Sequence, residues 1–449
     1  MFKAVVIGGG PGGYIAAIRL AQMGEKVALV EKSKLGGTCL HEGCIPTKSY
    51  IESAKRLDMV KLMSDFGIKI EGVSLDFEKV IERKEWVVSI LEKGIEYLVK
   101  QNKIELFQGR AKLLSSSKVE VELAGIKGIL ETESIVIATG SKPMVLPTVV
   151  TDGDRILNST DILQMKTLPK RMVVIGAGVI GCEISSLFNS FGVEIEMVDI
   201  AEHVLPTEDL DIASEVERTF KRKKVKLHMG VSVCEVVKGE SVEVKLSNGK
   251  TLSTDKVVVA IGRAPYTEGL ELEKIGIKTH KGHIIVDDKF QTSVKGIYAI
   301  GDVSSEIKLA HYAIYQGKAV ANVIMGKNYK KAHCVPGCVF SAPELATVGM
   351  REREMPASYR VSKHSLKSSG KALVEGDNGG VVKMIFSEDD TLKGAAMVGK
   401  NANLVIHELA LAIENGLKAE DIIHTIHAHP TVSESVVECA EGLFGLSIH

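Results

Sequence analysis

Two cysteines are the residues best suited to chemistry in this sequence, and a glycine directly precedes the second one. Cys39 and Cys44 are five positions apart within the stretch 36–48, a separation that on a regular helix places their Cα atoms about 8.6 Å apart, beyond the reach of a disulfide bond. A bond between them therefore requires irregular backbone, which Gly43 permits. Because a bridge that closes so short a loop adds little stability and is easily reduced when strained, we interpret the pair as redox-active. The alternative is two ordinary buried cysteines beside a glycine turn.

A histidine and a glutamate near the C-terminus are the second candidate for chemistry. His429 precedes Pro430, which disfavours helical geometry at the histidine, and Pro430 suits the first turn of a new helix. Glu434 would then lie one turn along and orient the imidazole, and a histidine paired with a carboxylate can take a proton from a thiol near neutral pH. The alternative is a capping histidine without a partner. We expect no metal among His424, His427 and His429, because no cysteine or carboxylate completes a tetrahedral set.

A glycine-rich turn near the start of the chain predicts a dinucleotide site. A β-branched strand is followed by Gly8, Gly10 and Gly13. A helix-compatible stretch and a second strand come next, and that strand ends in Glu31. The first glycine permits a tight turn, the second lets the backbone approach a pyrophosphate, and the third lets the helix pack on the strand. The pyrophosphate would lie at the helix N-terminus, and Glu31 would accept ribose hydroxyls.

The same unit recurs in the middle of the chain. Gly176, Gly178 and Gly181 follow another β-branched strand, and the next strand ends in Asp199. In both units the acid follows the first glycine by 23 residues. An acid at this position favours the free 2′-hydroxyl of NAD over the 2′-phosphate of NADP. The repeat therefore predicts two dinucleotide sites, the second for NAD, in a chain that passes electrons from one site to the other.

Several motifs together resemble those of the flavoprotein disulfide reductases, most closely the members that act on dihydrolipoamide. The resemblance rests on the residues around the cysteines from Gly37 to Lys48, two strands that run into glycine at 135–143 and 257–265, the segment Ile297–Asp302, the segment Lys308–His311, and the run His427–Glu434. Two departures from the family pattern are visible. His41 stands where the family usually has asparagine, and residues 314–316 replace residues that are usually acidic.

The resemblance implies an α/β fold with two Rossmann-like FAD/NAD(P)-binding domains and a C-terminal α+β dimerisation domain. The sequence pattern changes near Pro143, Pro265 and Cys334. We therefore predict four domains: FAD-binding at 1–143, NAD-binding at 144–264, a central domain that completes the FAD site at 265–333, and an interface domain at 334–449.

The resemblance also implies which residues form the site. The catalytic set is Cys39, Cys44, Lys48, Glu183, His429 and Glu434. The FAD set is Gly8, Gly10, Gly13, Glu31, Lys32, Gly37, Thr38, Lys48, Ala111, Ala138, Thr139, Gly140, Asp302, Lys308, Leu309, Ala310 and His311. The NAD set is Gly176, Gly178, Val179, Ile180, Gly181, Glu183, Asp199, Val231 and Gly262.

The resemblance further implies the reaction and its partners. His429, with Glu434 as its partner, would deprotonate a dithiol whose thiolate attacks Cys39 and frees Cys44 toward the flavin, and NAD⁺ would accept the electrons. In the family this base reaches the disulfide from the other subunit, which implies a homodimer. The substrate would be dihydrolipoamide, free or carried by the E2 component of a 2-oxo acid dehydrogenase complex or by the H-protein of the glycine-cleavage system.

Two alternatives for the function stay open. One is an NAD(P)H-dependent reductase of another low-molecular-weight disulfide, and the other is a mainly structural subunit docked in a multienzyme complex. Asp199 opposes the 2′-phosphate site that a glutathione reductase needs. The C-terminus lacks the cysteine pair expected of a mercuric reductase or of a larger thioredoxin reductase.

Composition limits the remaining possibilities. A chain of 449 residues with 45% hydrophobic and 25% charged residues suggests about three or four globular domains. Its net charge of −1 gives no indication of a nucleic-acid or acidic-membrane partner. The first strand begins almost at Met1, so we expect no signal peptide, and we find no apolar run long enough to span a membrane. The other cysteines are scattered, which favours a reducing, cytoplasmic location. Cys334 and Cys338 could form half of a metal site, but the sequence has no second pair at suitable spacing, so we expect no metal there.

Overall fold

The first part of the chain forms a parallel sheet with helices packed against it. The computed structural model describes residues 1–377 and 379–449. The strands up to residue 143 are β1 (Phe2–Ile7), β2 (Val27–Glu31), β3 (Glu105–Gln108), β4 (Arg110–Ser115), β5 (Lys118–Leu123), β6 (Ile126–Ile137) and β7 (Ser141–Pro143). The helices of this part are α1 (Pro11–Gln22), α2 (Gly37–His41), α3 (Cys44–Lys61) and α4 (Phe77–Gln101).

Strand β6 takes part in two kinds of pairing. Its last residues pair in parallel with β1, which continues through β2 to β3. Its first residues pair antiparallel with β5, which continues to β4. The residues of β1 and β2 are almost all buried, as expected for strands covered on both faces, and this explains their β-branched, apolar composition.

The second part of the chain repeats this design. Its strands are β8 (Ile156–Asn158), β9 (Arg171–Ile175), β10 (Glu194–Asp199), β11 (Lys226–Met229), β12 (Val233–Lys238), β13 (Val242–Leu246), β14 (Thr251–Thr254), β15 (Lys256–Val259) and β16 (Arg263–Pro265), and its helices are α5 (Val179–Ser190) and α6 (Leu210–Arg222). The parallel order is β11-β10-β9-β15-β8, with an antiparallel sheet β12-β13-β14 beside it. Strand β16 pairs antiparallel with β7 and so joins the ends of the two units. The predicted internal repeat is present in the architecture.

The next segment returns to the first sheet. It contains α7 (Leu272–Ile275), β17 (Thr279–His280), β18 (His283–Ile284), β19 (Ile297–Ala299) and α8 (Ala310–Ile324). Strand β19 pairs in parallel with β6, which gives the order β3-β2-β1-β6-β19 and matches the five-stranded order of the second unit. Helix α8 packs on α1 at Gly317, where a Cβ atom would lie 2.5 Å from the carbonyl oxygen of Gly12. The close packing of the two helices therefore depends on glycine at this position.

The C-terminal part is an antiparallel sheet covered by helices. Its strands are β20 (Gly337–Val339), β21 (Leu345–Gly349), β22 (Arg360–Ser365), β23 (Val381–Phe386) and β24 (Leu392–Val398), and its helices are α9 (Gly370–Val374), α10 (Ala402–Glu414), α11 (Ala419–Ile423) and α12 (Glu434–Gly442). The strand order is β20-β21-β24-β23-β22, and α10 and α12 share an apolar core with it. Short 3₁₀ helices lie at Met63–Phe66, Asp161–Gln164, Gly301–Val303, Glu352–Glu354 and Leu366–Ser368. In the described part of the chain, no helix has both the length and the apolar composition to cross a bilayer.

Candidate active site

The glycine turn between β1 and α1 has the shape that a dinucleotide phosphate requires. Gly8 has φ +107°, and a Cβ atom at this position would lie 2.3 Å from the carbonyl oxygen of Ala138. At Gly13 a Cβ atom would lie 1.8 Å from the carbonyl oxygen of Gly8. Gly10 instead faces open space, and α1 begins there without a side-chain cap or an acid in its first turn. The free N–H groups of that turn are therefore available to an anion, so the residues present fit the FAD pyrophosphate.

The turn between β9 and α5 reproduces this geometry. Gly176 has φ +109°, and a Cβ atom at Gly181 would lie 1.8 Å from the carbonyl oxygen of Gly176. Gly178 faces open space at the N-terminus of α5, which also has no side-chain cap and no acid in its first turn. The second turn therefore fits a second dinucleotide.

The acids at the ends of β2 and β10 hold these turns. Glu31 accepts a hydrogen bond of 2.7 Å from the backbone N–H of Gly9, and Asp199 accepts one of 2.5 Å from the N–H of Ala177. In each case the other carboxylate oxygen accepts the N–H two residues further along the chain. Carboxylate oxygens keep further lone pairs, so a ribose hydroxyl can still be bound, and that contact remains a prediction.

The backbone between the two cysteines is irregular, as the sequence predicts. Helix α2 ends at His41 and α3 begins at Cys44. Gly43 lies between them with φ −152° and ψ −108°, and a Cβ atom there would lie 3.1 Å from the carbonyl oxygen of Thr38. This break removes the regular helical spacing that would keep the two sulfur atoms apart.

The two thiols interact, and their pKa values move in opposite directions. The hydrogen bond between them and the nearby Lys48 ammonium lower the pKa of Cys44 to about 7, against the opposing effect of burial. The same hydrogen bond, together with burial, raises the pKa of Cys39. Cys44 is therefore a partly ionised thiolate near neutral pH while Cys39 keeps its proton.

Lys48 and Glu183 form an ion pair where three parts of the chain meet. Lys48 on α3 lies 2.9 Å from each carboxylate oxygen of Glu183 on α5. Glu183 is buried, and the backbone N–H of Phe340 donates to it at 3.0 Å. The Phe340 ring lies under the Lys48 ammonium, 4.6 Å from it. The structure thus brings the predicted pair together and adds Phe340, a residue that the sequence analysis missed.

Arg263 is a second residue that the sequence analysis missed. Its guanidinium donates to the hydroxyl and to the carbonyl oxygen of Ser141, each at 2.8 Å, and reaches the Thr38 hydroxyl at 3.5 Å. The Ser141 hydroxyl in turn donates to Asp302 at 2.5 Å. Burial lowers the pKa of Arg263, and Asp302 opposes this effect. The one available sequence indication was an arginine directly after Gly262, at the end of the second strand-to-glycine motif.

Residues 314–316, which depart from the family pattern, include a glutamine with a structural role. Gln316 is buried, and its side-chain oxygen accepts the N–H of Gly301 at 2.7 Å, which holds the turn that carries Asp302. Helix α8 starts after Leu309 with no side-chain cap and no acid in its first turn. His311 in that turn lies 2.8 Å from the carbonyl oxygen of Pro336.

The other predicted cofactor residues are distributed over several helices, strands and the segments next to them. Lys32 lies over the ring of Tyr266, and the Thr139 hydroxyl donates to the carbonyl oxygen of the same tyrosine at 2.6 Å. Of the remaining residues, Gly37 and Thr38 lie in α2, Ala111 in β4, Ala138 and Gly140 after β6, Lys308 and Ala310 at the start of α8, Val179 and Ile180 in the first turn of α5, Val231 after β11, and Gly262 before β16.

His429 and Glu434 form the predicted pair, but the local backbone differs from the prediction. Nδ1 of His429 lies 2.9 Å from the carboxylate of Glu434, which also accepts the N–H of Thr431 at 2.7 Å. The prediction that Pro430 opens the helix is wrong, because α12 begins at Glu434. The Thr431 hydroxyl donates to the carbonyl oxygen of Ala428 at 2.8 Å, and this turn delays the helix.

The electrostatics of this pair favour an ionised carboxylate. The Thr431 N–H, and then His429, lower the pKa of Glu434. The His429 side chain is 81% exposed, and no hydrogen bond or ion pair among the described residues joins it to either cysteine. The approach of this base to the thiols therefore remains a prediction that involves a second subunit.

One acidic cluster has the spacing of a metal site, and a lysine occupies it. Asp209, Asp211 and Glu352 bring their carboxylates together. The buried Lys383 ammonium lies 2.8 Å from Asp209 and 2.9 Å from Asp211. The ammonium lies where a cation would lie, and these ion pairs join α6 to β23.

Comparisons with known proteins cover the whole chain. The family model described as pyridine nucleotide-disulphide oxidoreductase matches residues 2–317, and the model of that family's dimerisation domain matches residues 335–440. A dihydrolipoyl dehydrogenase of Bacillus subtilis is 38% identical over 100% of this chain and 99% of its own length. A dihydrolipoyl dehydrogenase of Geobacillus stearothermophilus is 39% identical over 100% of this chain and 97% of its own length.

Two solved structures have the same fold. The crystal structure of LpdA from Mycobacterium tuberculosis has a TM-score of 0.92 at 27% identity and covers 98% of this chain and 99% of that one. The HOCl-induced flavoprotein disulfide reductase RclA from Escherichia coli has a TM-score of 0.88 at 28% identity, again over 98% and 99% of the two chains.

Proposed function

Because this chain belongs to the pyridine nucleotide-disulphide oxidoreductase family, we propose that Cys39 and Cys44 are the redox-active pair of a dihydrolipoyl dehydrogenase. The chain is a flavoprotein disulfide oxidoreductase that uses FAD and NAD(H). The observation that carries the proposal is the interacting thiol pair, in which Cys44 has a lowered pKa beside the Lys48 ammonium. A lowered pKa is what a thiol needs to act as a leaving group in disulfide exchange.

The FAD site is built from the first glycine turn and the segments that close over it. The N-terminus of α1 would bind the pyrophosphate, Glu31 would hold the ribose, and Asp302, within the network of Ser141 and Arg263, would hold the ribityl chain. When bound, FAD would supply the redox chemistry that carries the electron pair of the reduced cysteines to NAD⁺.

The NAD site is built from the second turn. The N-terminus of α5 would bind its pyrophosphate, and Asp199 would accept a hydrogen bond from the 2′-hydroxyl of its ribose. A 2′-phosphate would bring two further negative charges toward the same carboxylate, so the site prefers NAD to NADP.

The dithiol reaction uses the cysteine pair and the histidine base. Nδ1–H of His429 donates a hydrogen bond to Glu434, which leaves Nε2 free to take a proton from one substrate thiol. The resulting thiolate attacks Cys39, the Cys39–Cys44 bond breaks, and Cys44 leaves as a thiolate held by Lys48. The second substrate thiol then displaces Cys39, so the substrate leaves as a disulfide and the protein keeps two electrons as a dithiol.

The oligomer and the domain division follow from the same assignment. The C-terminal part is a dimerisation domain, which indicates a homodimer. We place the domains at 1–143, 144–264, 265–333 and 334–449, and the pairing of β19 with β6 supports the role of the third segment in completing the first, FAD-binding unit. The lipoyl group of an E2 component or of an H-protein is the proposed physiological substrate, and the scattered cysteines support a cytoplasmic location.

Steady-state assays of two cysteine variants test the proposal. With dihydrolipoamide and NAD⁺, Cys44→Ser should lose at least about 10³-fold in turnover because its side chain cannot accept the disulfide electrons. Cys234→Ser is the matched control, because Cys234 is an exposed cysteine in β12, and it should behave as the unmodified protein. Turnover that survives in Cys44→Ser, or an unmodified protein that reduces another disulfide faster than it oxidises dihydrolipoamide, would contradict the proposal.

A further inference from the structure

The loop that carries His429 contains a second histidine, His427, whose two ring nitrogens each contact a hydrogen-bond acceptor. Nδ1 of His427 lies 2.8 Å from the carbonyl oxygen of Thr425, and Nε2 lies 2.7 Å from a carboxylate oxygen of Glu408 on α10. Its side chain is only 8% exposed, whereas that of His429 is 81% exposed. The two histidines therefore occupy different environments although they are two positions apart.

Both partners of His427 are hydrogen-bond acceptors. A carbonyl oxygen and a carboxylate only accept hydrogen bonds. His427 therefore contacts an acceptor with each ring nitrogen, and its bond to the Glu408 carboxylate belongs to the stronger, charge-assisted class.

These bonds attach the base loop to the body of the C-terminal domain. The loop runs from the end of α11 to the start of α12. Its own side-chain bonds are local, from Thr425 to the carbonyl oxygen of Asp421 and from Thr431 to that of Ala428. The His427–Glu408 pair reaches α10, whose buried residues belong to the apolar core. It is thus the polar contact that fixes the loop against a rigid element.

We propose that His427 is a positioning residue for the base, whose ring is held by Glu408 and the Thr425 carbonyl oxygen and so fixes the loop that carries the His429–Glu434 pair. The inference rests on the proposed role of His429. After the Thr431 N–H and His429, the charge of His427 also lowers the pKa of Glu434. An ionised Glu434 keeps the His429 proton on Nδ1, which leaves Nε2 free for the substrate thiol.

Two activities of the holoenzyme separate positioning of the base from general stability. Oxidation of dihydrolipoamide by NAD⁺ needs the base, whereas reduction of ferricyanide by NADH uses the bound cofactors alone. His427→Gln keeps a donor but cannot reproduce both ring contacts, and should lower the first activity about 10- to 100-fold while it leaves the second unchanged. Glu408→Gln should do the same, and it keeps the test valid if His427→Gln does not fold.

His424→Gln is the matched control, because His424 begins the same loop, is 73% exposed and lies 4.0 Å from Glu420. It should change neither activity. In a His429→Ala background, His427→Gln should cause no further loss, because the residue acts through the base. Three results would overturn the inference but not the proposed base: His427→Gln lowers both activities equally, it lowers neither, or it lowers dihydrolipoamide oxidation by the same factor when His429 is already alanine. A His429→Ala variant with full dihydrolipoamide turnover would overturn the proposed base and the inference with it.

Discussion

Replacement of Lys48 by methionine tests how the chain activates Cys44. Cys44 begins α3 and Lys48 stands four residues later on the same helix, a spacing that places their side chains about 6 Å apart. Two unit charges at about 6 Å interact by about 2.8 kcal/mol at an effective dielectric of about 20, which is about two pKa units. Lys48 is 34% exposed and shares its charge with Glu183, so we expect about half of this effect.

The expected result is a shift in the pH at which Cys44 becomes a thiolate. Its pKa of about 7 means that the thiolate is present above this pH and is lost below it. A rise of about one unit in Lys48→Met would lower the thiolate fraction at pH 7 from about one half to about one tenth. Glu183 opposes the thiolate, so Glu183→Gln should shift the midpoint in the other direction.

The assay is the rate of alkylation of Cys44 by iodoacetamide in the reduced protein, followed by peptide mass spectrometry from pH 5 to 10. Lys48→Met should react about fivefold more slowly at pH 7 and at the same rate above pH 9. Lys55→Met is the matched control, because Lys55 lies two turns further along α3 and pairs with Glu344 instead. The reasoning is refuted if the two methionine variants have the same midpoint for Cys44.

The remaining predictions concern the two dinucleotide turns and a helix glycine. Asp199→Asn should lower the preference for NAD over NADP about tenfold, because about 1–2 kcal/mol of repulsion between the carboxylate and the 2′-phosphate is lost. The ratio of the kcat/KM values for the two nucleotides measures this preference. Gly181→Ala should weaken NAD binding severely, since its Cβ atom would lie 1.8 Å from the carbonyl oxygen of Gly176, and calorimetric titration with NAD⁺ measures this. Gly94→Ala, in α4 where a Cβ atom meets nothing within 4 Å, should instead raise the free energy of unfolding by about 1 kcal/mol in urea titrations. Unchanged cofactor preference, unchanged NAD affinity or a loss of stability would contradict these expectations in turn.

Local backbone constraints made the dinucleotide turns predictable. The roles of Gly13 and Gly181 follow from short sequence distances, because each is crowded by the carbonyl oxygen of the glycine five residues before it. Gly8 is crowded instead by the distant Ala138, and only the glycine pattern of the turn indicated its role. The irregular backbone at Gly43 is local for the same reason. The family, the fold class, the enzyme class and the use of FAD and NAD are confirmed by the comparisons, whereas the individual site roles and domain bounds remain predictions.

Contacts between distant segments were not predictable from spacing. Phe340 meets Glu183 across 157 residues, and Arg263 meets Ser141 across 122, so no local pattern marks either contact. The helix after Pro430 was misplaced because side-chain bonds within the loop hold a turn there, and rules for proline describe only the backbone of its neighbours.

The most direct test of the account is the redox state of Cys39 and Cys44 during turnover. Differential alkylation and peptide mass spectrometry should show a Cys39–Cys44 disulfide in the oxidised protein, its loss after dihydrolipoamide is added, and its return when NAD⁺ follows. The buried Cys182 and Cys439 should keep the same state throughout. If Cys39 and Cys44 are alkylated equally before and after dihydrolipoamide, they are not the electron carriers and the account is contradicted.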